Sequence, residues 1–114
     1  MDFVDIKHLY VQKVQEWAKQ NEQWLASKGS PFTVHAQQIA ASALMTRDKF
    51  ETNPGGFVEA LVNNNLRETF GRADTEVKTC LYAILLCYWN VETWDIIKKV
   101  REANPIPVET DLTV

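Results

Sequence analysis

The sequence predicts an all-α fold, namely a compact bundle of four to five helices with an extended C-terminal tail. Apolar residues recur at helical spacing along most of the chain, and strand-like alternation is confined to its last residues. The four Gly and four Pro fall between these periodic segments, as residues that separate helices do. Because 46% of the 114 residues are apolar, we expect one helical domain over residues 1–104 with a core of its own, followed by a tail over residues 105–114.

The first half of the chain contains two predicted helices. Residues 2–28 form an amphipathic helix, and Gly29 fits its C-terminal stop. An aromatic residue recurs on this helix at every seventh position: Phe3, Tyr10, Trp17 and Trp24. A second, alanine-rich helix begins after Ser30-Pro31, which fits an N-cap followed by proline in the first turn, and extends to about Phe50.

The second half contains two or three more helices. Residues 57–70 follow a Pro-Gly-Gly turn, and residues 75–89 follow Asp74, which fits an N-cap. The latter helix has no polar face from Cys80 onward, which is typical of a helix at the centre of a bundle. Residues 91–103 form either a fifth helix or a continuation of the fourth. We expect four side chains to be largely buried, one on the first helix and three on these later helices: Trp17, Leu81, Leu85 and Trp94.

Composition and motifs argue against most kinds of chemistry. The net charge of -3 and the pI near 5.3 disfavour extensive phosphate contact. The chain has two His, no Glu-x-x-His element, no phosphate-binding Gly-rich loop and no nucleophile elbow, so we expect no metal, no cofactor and no enzyme activity. Its longest apolar run, residues 80–89, is shorter than the roughly 20 residues that span a bilayer, so we expect no membrane contact.

The two cysteines indicate the compartment. Cys80 and Cys87 lie two turns apart on one predicted helix, about 10 Å, whereas a disulfide needs Cα atoms within about 7 Å. We therefore expect buried, unreactive thiols in a reducing, cytoplasmic environment.

Residues 36–52 resemble a helix-turn-helix and provide an alternative function, a small DNA-binding regulator. Ala40 matches the small residue packed between the two helices, and Arg47 and Lys49 would face DNA. Leu44, however, occupies the turn position at which that motif usually has Gly. We favour one continuous alanine-rich helix over this motif.

The third predicted helix carries the candidate binding site. Three successive asparagines, residues 63–65, are poor helix formers and would destabilise a helix interior by about 1–2 kcal/mol relative to alanine. We therefore predict that the polar face of this helix binds a partner protein. Its residues are Glu59, Asn63, Asn64, Arg67 and Glu68, with Arg72 at the helix end. Asn65 is expected to point inward, where it would be buried and hydrogen-bonded.

Three short segments carry a family resemblance: Pro-Gly-Gly-Phe-Val at 54–58, Leu-Val-Asn-Asn-Asn-Leu at 61–66 and Phe-Gly-Arg-Ala-Asp at 70–74. Over residues 54–94 the chain resembles small uncharacterised proteins of phages and other mobile elements. The resemblance implies an accessory protein that binds another protein as an inhibitor or adaptor, with a host defence complex as one candidate target. It implies no catalytic residue. The sequence leaves the oligomeric state open, with a homodimer as one option.

Overall fold

Eight α-helices and no β-strand are found in residues 1–104, which are the residues described in this computed structural model. The helices are α1 (Phe3–Gln20), α2 (Glu22–Ser27), α3 (Val34–Arg47), α4 (Gly56–Val62), α5 (Leu66–Arg72), α6 (Thr75–Thr79), α7 (Leu81–Asn90) and α8 (Trp94–Ala103). Helical residues make up 74% of the described chain, which confirms the all-α prediction. The predicted tail, residues 105–114, lies outside the described residues. None of the eight helices is long and apolar enough to cross a membrane.

The predicted number of four to five helices is too low, because three predicted helices are each divided by a short break. Residues 2–28 divide at Asn21, whose side-chain Nδ2 donates to the Trp17 carbonyl at 2.9 Å and ends α1. Residues 75–89 divide at Cys80, between α6 and α7. The third break, within residues 57–70, shapes the candidate site. The extended backbone of Val91 separates α7 from α8, so these are two helices and not one.

Three helices end in the same kind of left-handed turn. The residue after the C-cap has a positive φ at Gly29 (63°), Lys49 (71°) and Asn64 (58°), after α2, α3 and α4 respectively. In each turn the next amide donates to a carbonyl five residues earlier, which closes a Schellman motif. The predicted stop at Gly29 is therefore confirmed. The predicted cap at Ser30 is wrong, because Thr33 Oγ1 accepts from the Ala36 amide and caps α3.

Alanine-rich α3 is the centre of the fold. It packs against α1, α4 and α7 and is buried over most of its length. Its buried residues are Ala36, Ala40, Ala41, Ala43, Leu44 and Met45. Small side chains let the neighbouring helices approach closely, so the core around α3 tolerates little additional volume.

The prediction that the fourth helix lies at the centre is wrong. Its second half, α7, buries one face, formed by Ala83, Ile84, Cys87 and Tyr88. The predicted burial of Leu81, Leu85 and Trp17 is only partial. Trp94 is exposed over 72% of its surface, because α8 turns only Ile96 and Val100 into the core.

The alternative helix-turn-helix in residues 36–52 is not formed, and the favoured single alanine-rich helix is confirmed. Residues 34–47 form one uninterrupted helix, so no turn separates a first helix from a recognition helix. Leu44, at the proposed turn position, is fully buried in the core. Arg47 does not project into solvent as a DNA contact would, since its guanidinium binds Asp48 and Thr93.

A buried polar cluster joins three parts of the fold around Asp48. The Asp48 carboxylate accepts hydrogen bonds from Tyr10 Oη at 2.7 Å, Thr93 Oγ1 at 2.6 Å and Arg47 Nε at 2.9 Å. Arg47 also donates to Thr93 Oγ1 at 2.7 Å. These bonds connect α1 and the end of α3 to the loop before α8. Burial, and next the hydrogen bond to Asp48, raise the pKa of Tyr10, so its phenol stays protonated and acts as a donor.

Candidate functional site

The three asparagines form the turn that connects α4 to α5, and they do not belong to one continuous helix. Asn63 is the C-cap of α4, and Asn64 adopts the left-handed conformation at φ 58°. The Asn64 amide donates to Leu61 and the Asn65 amide to Ala60, so the turn satisfies carbonyls at the end of α4. Asn65 then caps α5, because its side-chain oxygen accepts from the Glu68 amide at 3.1 Å.

This geometry corrects two predictions about the segment. Residues 57–70 are not one helix, and Asn65 is exposed rather than buried in the core. Asparagine tolerates left-handed backbone and is a favoured N-cap, so Asn64 and Asn65 suit their positions structurally. The asparagines therefore do not destabilise a helix interior, and their presence needs no functional explanation. Any binding role for this segment must rest on what the α4–α5 hairpin, residues 56–72, presents to solvent.

The side chain of Arg72, at the end of α5, extends to the start of α4. Its Nε lies 3.1 Å from Oε2 of Glu68, one turn earlier on the same helix. A Cβ atom at Gly56 would lie 2.8 Å from Cδ of Arg72, so the absence of a side chain at Gly56 makes room for the arginine. The ion pair is exposed to solvent, and its main effect is to hold the guanidinium over the hairpin.

The two helices of the hairpin enclose a polar cleft of about 290 Å³. Its walls are formed by Gly56, Glu59, Ala60, Asn63, Asn65, Glu68 and Arg72. Glu68 is paired with Arg72, whereas Glu59 forms no ion pair within the residues that the structure describes. The cleft therefore offers an unpaired carboxylate and side-chain amides that can both donate and accept hydrogen bonds.

The structure brings four of the six predicted site residues together. Glu59, Asn63, Glu68 and Arg72 line the polar cleft, and this grouping arises from two helices rather than from one helical face. Asn64 and Arg67 are exposed but do not line it. Asn64 shapes the turn. Whether these six residues bind a partner stays a prediction.

Two exposed apolar side chains on the other side of α5 from the cleft are absent from the sequence prediction. Leu66 is 74% exposed and Phe70 is 56% exposed, one turn apart on α5. Lys78 Nζ lies 5.1 Å from the centre of the Phe70 ring, a cation–π distance. The only buried residue of α5 is Thr69. The signal that could have found this surface is Asn65 followed three residues later by Glu68, a pattern typical of a helix start.

Other reactive groups in the described residues are poorly placed for catalysis. Cys80 and Cys87 are both buried, and burial raises the pKa of the Cys87 thiol to about 12. A thiol with so high a pKa is a poor nucleophile near neutral pH. No group of three or more His, Cys, Asp or Glu side chains within residues 1–104 is arranged to hold a metal ion.

A larger cleft lies away from the predicted site. It measures about 670 Å³ and is bounded by α1, α2 and the segment leading into α3, with Leu25 and Phe32 among its walls. Ser30 also lines it, and the Ser30 hydroxyl is buried without a hydrogen-bond partner among the described atoms. Because that oxygen is enclosed by protein, it is not presented to the cleft. None of the predicted site residues contributes to this cavity.

The α4–α5 hairpin is thus the place where the predicted polar residues, an open cleft and exposed apolar side chains coincide. Neither a protein-family model, nor a curated protein, nor a solved structure matches this chain.

Proposed function

We propose that this chain works by binding another protein through the α4–α5 hairpin and that it is not an enzyme. The hairpin surface comprises the polar cleft together with Leu66, Arg67 and Phe70. In this role the chain acts as an inhibitor or adaptor. The DNA-binding alternative loses its structural basis with the absence of a recognition helix in α3.

The observation that carries the proposal is the orientation of α5. This seven-residue helix packs mainly against α4 and buries only Thr69, while its two large apolar side chains point into solvent. Leu66 and Phe70 therefore contribute little to the core. Apolar side chains that are exposed together and bordered by polar groups are typical of a surface that a partner covers.

The polar residues suit the border of such an interface. Arg67 has no ion pair within the described residues, and its planar guanidinium suits a carboxylate or a backbone carbonyl of the partner. Glu59 suits a basic side chain or an amide, and Asn63 can pair with either kind of group. We expect Leu66 and Phe70, on one side of α5, to provide binding energy, and the polar cleft on its other side to add specificity for a partner that spans both.

The resemblance of residues 54–94 to proteins of phages and mobile elements includes the whole hairpin. We therefore assign the chain to that class of accessory proteins, with a component of a host defence complex as one candidate target. Two free, buried cysteines support action in the cytoplasm, since such thiols persist in reducing compartments.

The proposal is tested by quantitative affinity purification from the host cell with matched variants. Leu66→Glu should remove the enriched partner, because it places a charge at the centre of the apolar contact. Val4→Glu is the control, since Val4 is 70% exposed on α1, outside the hairpin. If Leu66→Glu and Val4→Glu enrich the same partner equally, the proposal is contradicted. Binding to duplex DNA that weakens steeply with salt would instead favour the regulator.

A further inference from the structure

α8 carries an apolar cleft on the side that it turns away from the core. The cleft measures about 300 Å³, and all five residues of its walls belong to α8: Trp94, Ile97, Lys98, Arg101 and Glu102. Trp94 is exposed and Ile97 is half-buried, so the cleft presents a large apolar surface. Exposed tryptophans on such a surface are frequent anchors of an interface.

The charged residues around this cleft leave one net positive charge. Lys98 and Arg101 stand against Glu102, and none of the three forms an ion pair within residues 1–104. Asp95, nearer the start of α8, is bound to Lys13 at 2.6 Å and lines a different cleft. A second copy of the chain would bring a cleft of the same sign, so it does not complement this one. The complementary occupant is a partly apolar segment with an excess of carboxylates.

The chain leaves α8 beside this cleft. Glu102, which borders the cleft, lies two residues before Asn104. Asn104 Nδ2 donates to the Met1 carbonyl at 2.9 Å, and Asn104 Oδ1 accepts from the Met1 amino group at 3.0 Å. These bonds hold the end of α8 against the start of α1. Residues 105–114, which lie outside the described residues, therefore continue from a fixed point about one helical turn from the cleft.

The sequence of residues 105–114 fits this cleft in composition. The segment contains two carboxylates, Glu109 and Asp111, and no Lys or Arg. The Asn-Pro pair at residues 104–105 is typical of a turn. Every second residue is apolar or threonine, and both carboxylates fall at the positions between them: Ile106, Val108, Thr110, Leu112 and Val114. In an extended conformation the segment would therefore have a mainly apolar side and an acidic side.

We propose that residues 105–114 fold back over α8 and cover this cleft. The seven residues after the turn, 108–114, extend over up to about 23 Å, whereas the helix α8 is about 15 Å long. The segment is therefore long enough to pass the whole cleft. Because it is tethered close by, its effective concentration at the cleft is of the order of mM, so weak contacts suffice.

The position of the turn determines which side chains meet. With the turn at residues 104–107, an extended chain antiparallel to α8 places Leu112 over Trp94. Glu109 then lies beside Arg101 at the edge of the cleft. The apolar side of the segment covers the tryptophan, and its acidic side neutralises the net positive charge. This arrangement is independent of the α4–α5 hairpin, whose residues lie on other helices.

The tryptophan indole N–H signals of the full chain, observed by heteronuclear NMR, test the proposal. Leu112→Asn should shift the Trp94 signal, because it removes the apolar contact without changing the charge. Thr113→Asn is the matched control and should leave that signal in place, since Thr113 falls on the other side of the segment. The signal of Trp24, which is exposed on α2, should stay unchanged in both variants. The Trp94 shift should not depend on protein concentration, because the contact lies within one chain.

A nitroxide spin label at residue 113, attached through Thr113→Cys, measures proximity. Cys80 and Cys87 are buried, so the folded protein takes up the label at residue 113. The label should broaden the Trp94 signal far more than the Trp24 signal. An isotope-labelled wild-type chain mixed with spin-labelled chain should keep its Trp94 signal, because each copy covers its own cleft.

Charge exchange tests the antiparallel arrangement. Arg101→Glu should move the Trp94 signal toward its position in Leu112→Asn, because it places a like charge beside Glu109. Adding Glu109→Arg to this variant should move the signal back toward its wild-type position, since opposite charges face each other again.

Three outcomes would overturn the proposal. One is a Trp94 signal that does not respond to Leu112→Asn or responds equally to Thr113→Asn. Another is a spin label that broadens Trp94 no more than Trp24, or that broadens Trp94 of the unlabelled chain in the mixed sample, which would assign the cover to a second copy. A double charge variant no closer to the wild type than Arg101→Glu would overturn the antiparallel arrangement.

Discussion

Tyr10 donates a 2.7 Å hydrogen bond from its phenol to the carboxylate of Asp48, 38 residues later in the chain. The bond joins the middle of α1 to the turn after α3, and Asp48 also holds Thr93 before α8. Tyr10 is fully buried and the Asp48 side chain is only 8% exposed, so water cannot replace a lost donor easily. The cluster therefore fixes how three helices meet.

We expect Tyr10→Phe to destabilise the fold by about 1–3 kcal/mol, because it leaves a buried carboxylate with one donor fewer. Chemical denaturation measures this change. Tyr82→Phe is the matched control, since the Tyr82 ring is exposed and its hydroxyl has no hydrogen bond within the described residues. Equal stability of the two variants would show that the Asp48 cluster contributes little.

Cys87 should make the protein sensitive to alkaline pH. Burial raises the pKa of its thiol from 9.0 to about 12, so the folded state disfavours the thiolate. The stabilising contribution of the protonated thiol is complete below about pH 9 and is lost as the pH rises toward 12. Unfolding midpoints measured across this range should fall less steeply for Cys87→Ala than for the wild type. Parallel curves would contradict the assignment.

The alanine-rich core around α3 should not accept larger side chains. Ala40→Leu adds volume where α3 is fully buried, and we expect it to reduce the free energy of unfolding by about 1–3 kcal/mol or more. Ala26→Leu is the control, because Ala26 is exposed on α2. If the two variants are equally stable, α3 is not the helix around which the core packs.

Glycine should be tolerated at the positive-φ positions of the left-handed turns, whereas alanine there should lower the stability of the fold. Asn64→Ala should destabilise the fold by roughly 1 kcal/mol, because alanine tolerates φ 58° poorly, whereas Asn64→Gly should be close to neutral. Lys49→Gly should be neutral or stabilising, since a lysine at φ 71° is strained in the same way as an alanine at φ 58° would be. Thermal unfolding of the three variants provides the comparison. A stable Asn64→Ala protein would contradict the turn geometry.

Features that depend on neighbouring residues were largely predictable. Asp74 caps α6 as expected, because its side chain accepts from the Val77 amide three residues later, and Gly29 ends α2 for an equally local reason. The asparagine triplet was misinterpreted because propensity alone treats each Asn as a cost to a helix. The same residues favour the end of one helix and the start of the next.

Features that depend on tertiary packing could not be predicted. Trp94 falls on the apolar side of a helical periodicity, but only the arrangement of α8 against α1 determines which side faces the core. The outward orientation of Leu66 and Phe70 requires the break at residues 63–65, which changes the direction of the chain. The exposed apolar part of the candidate site was therefore missed, although its polar part was named.

Site-specific photo-crosslinking in the host cell tests protein binding by the hairpin most directly. A photoreactive amino acid at Leu66 should yield a covalent product with a second, different protein, whereas the same amino acid at exposed Val4 should not. A product of twice the chain's own mass would instead report self-association through α5. If Leu66 gives no product with another protein, or if Val4 gives the same product at equal yield, the hairpin is not the binding surface.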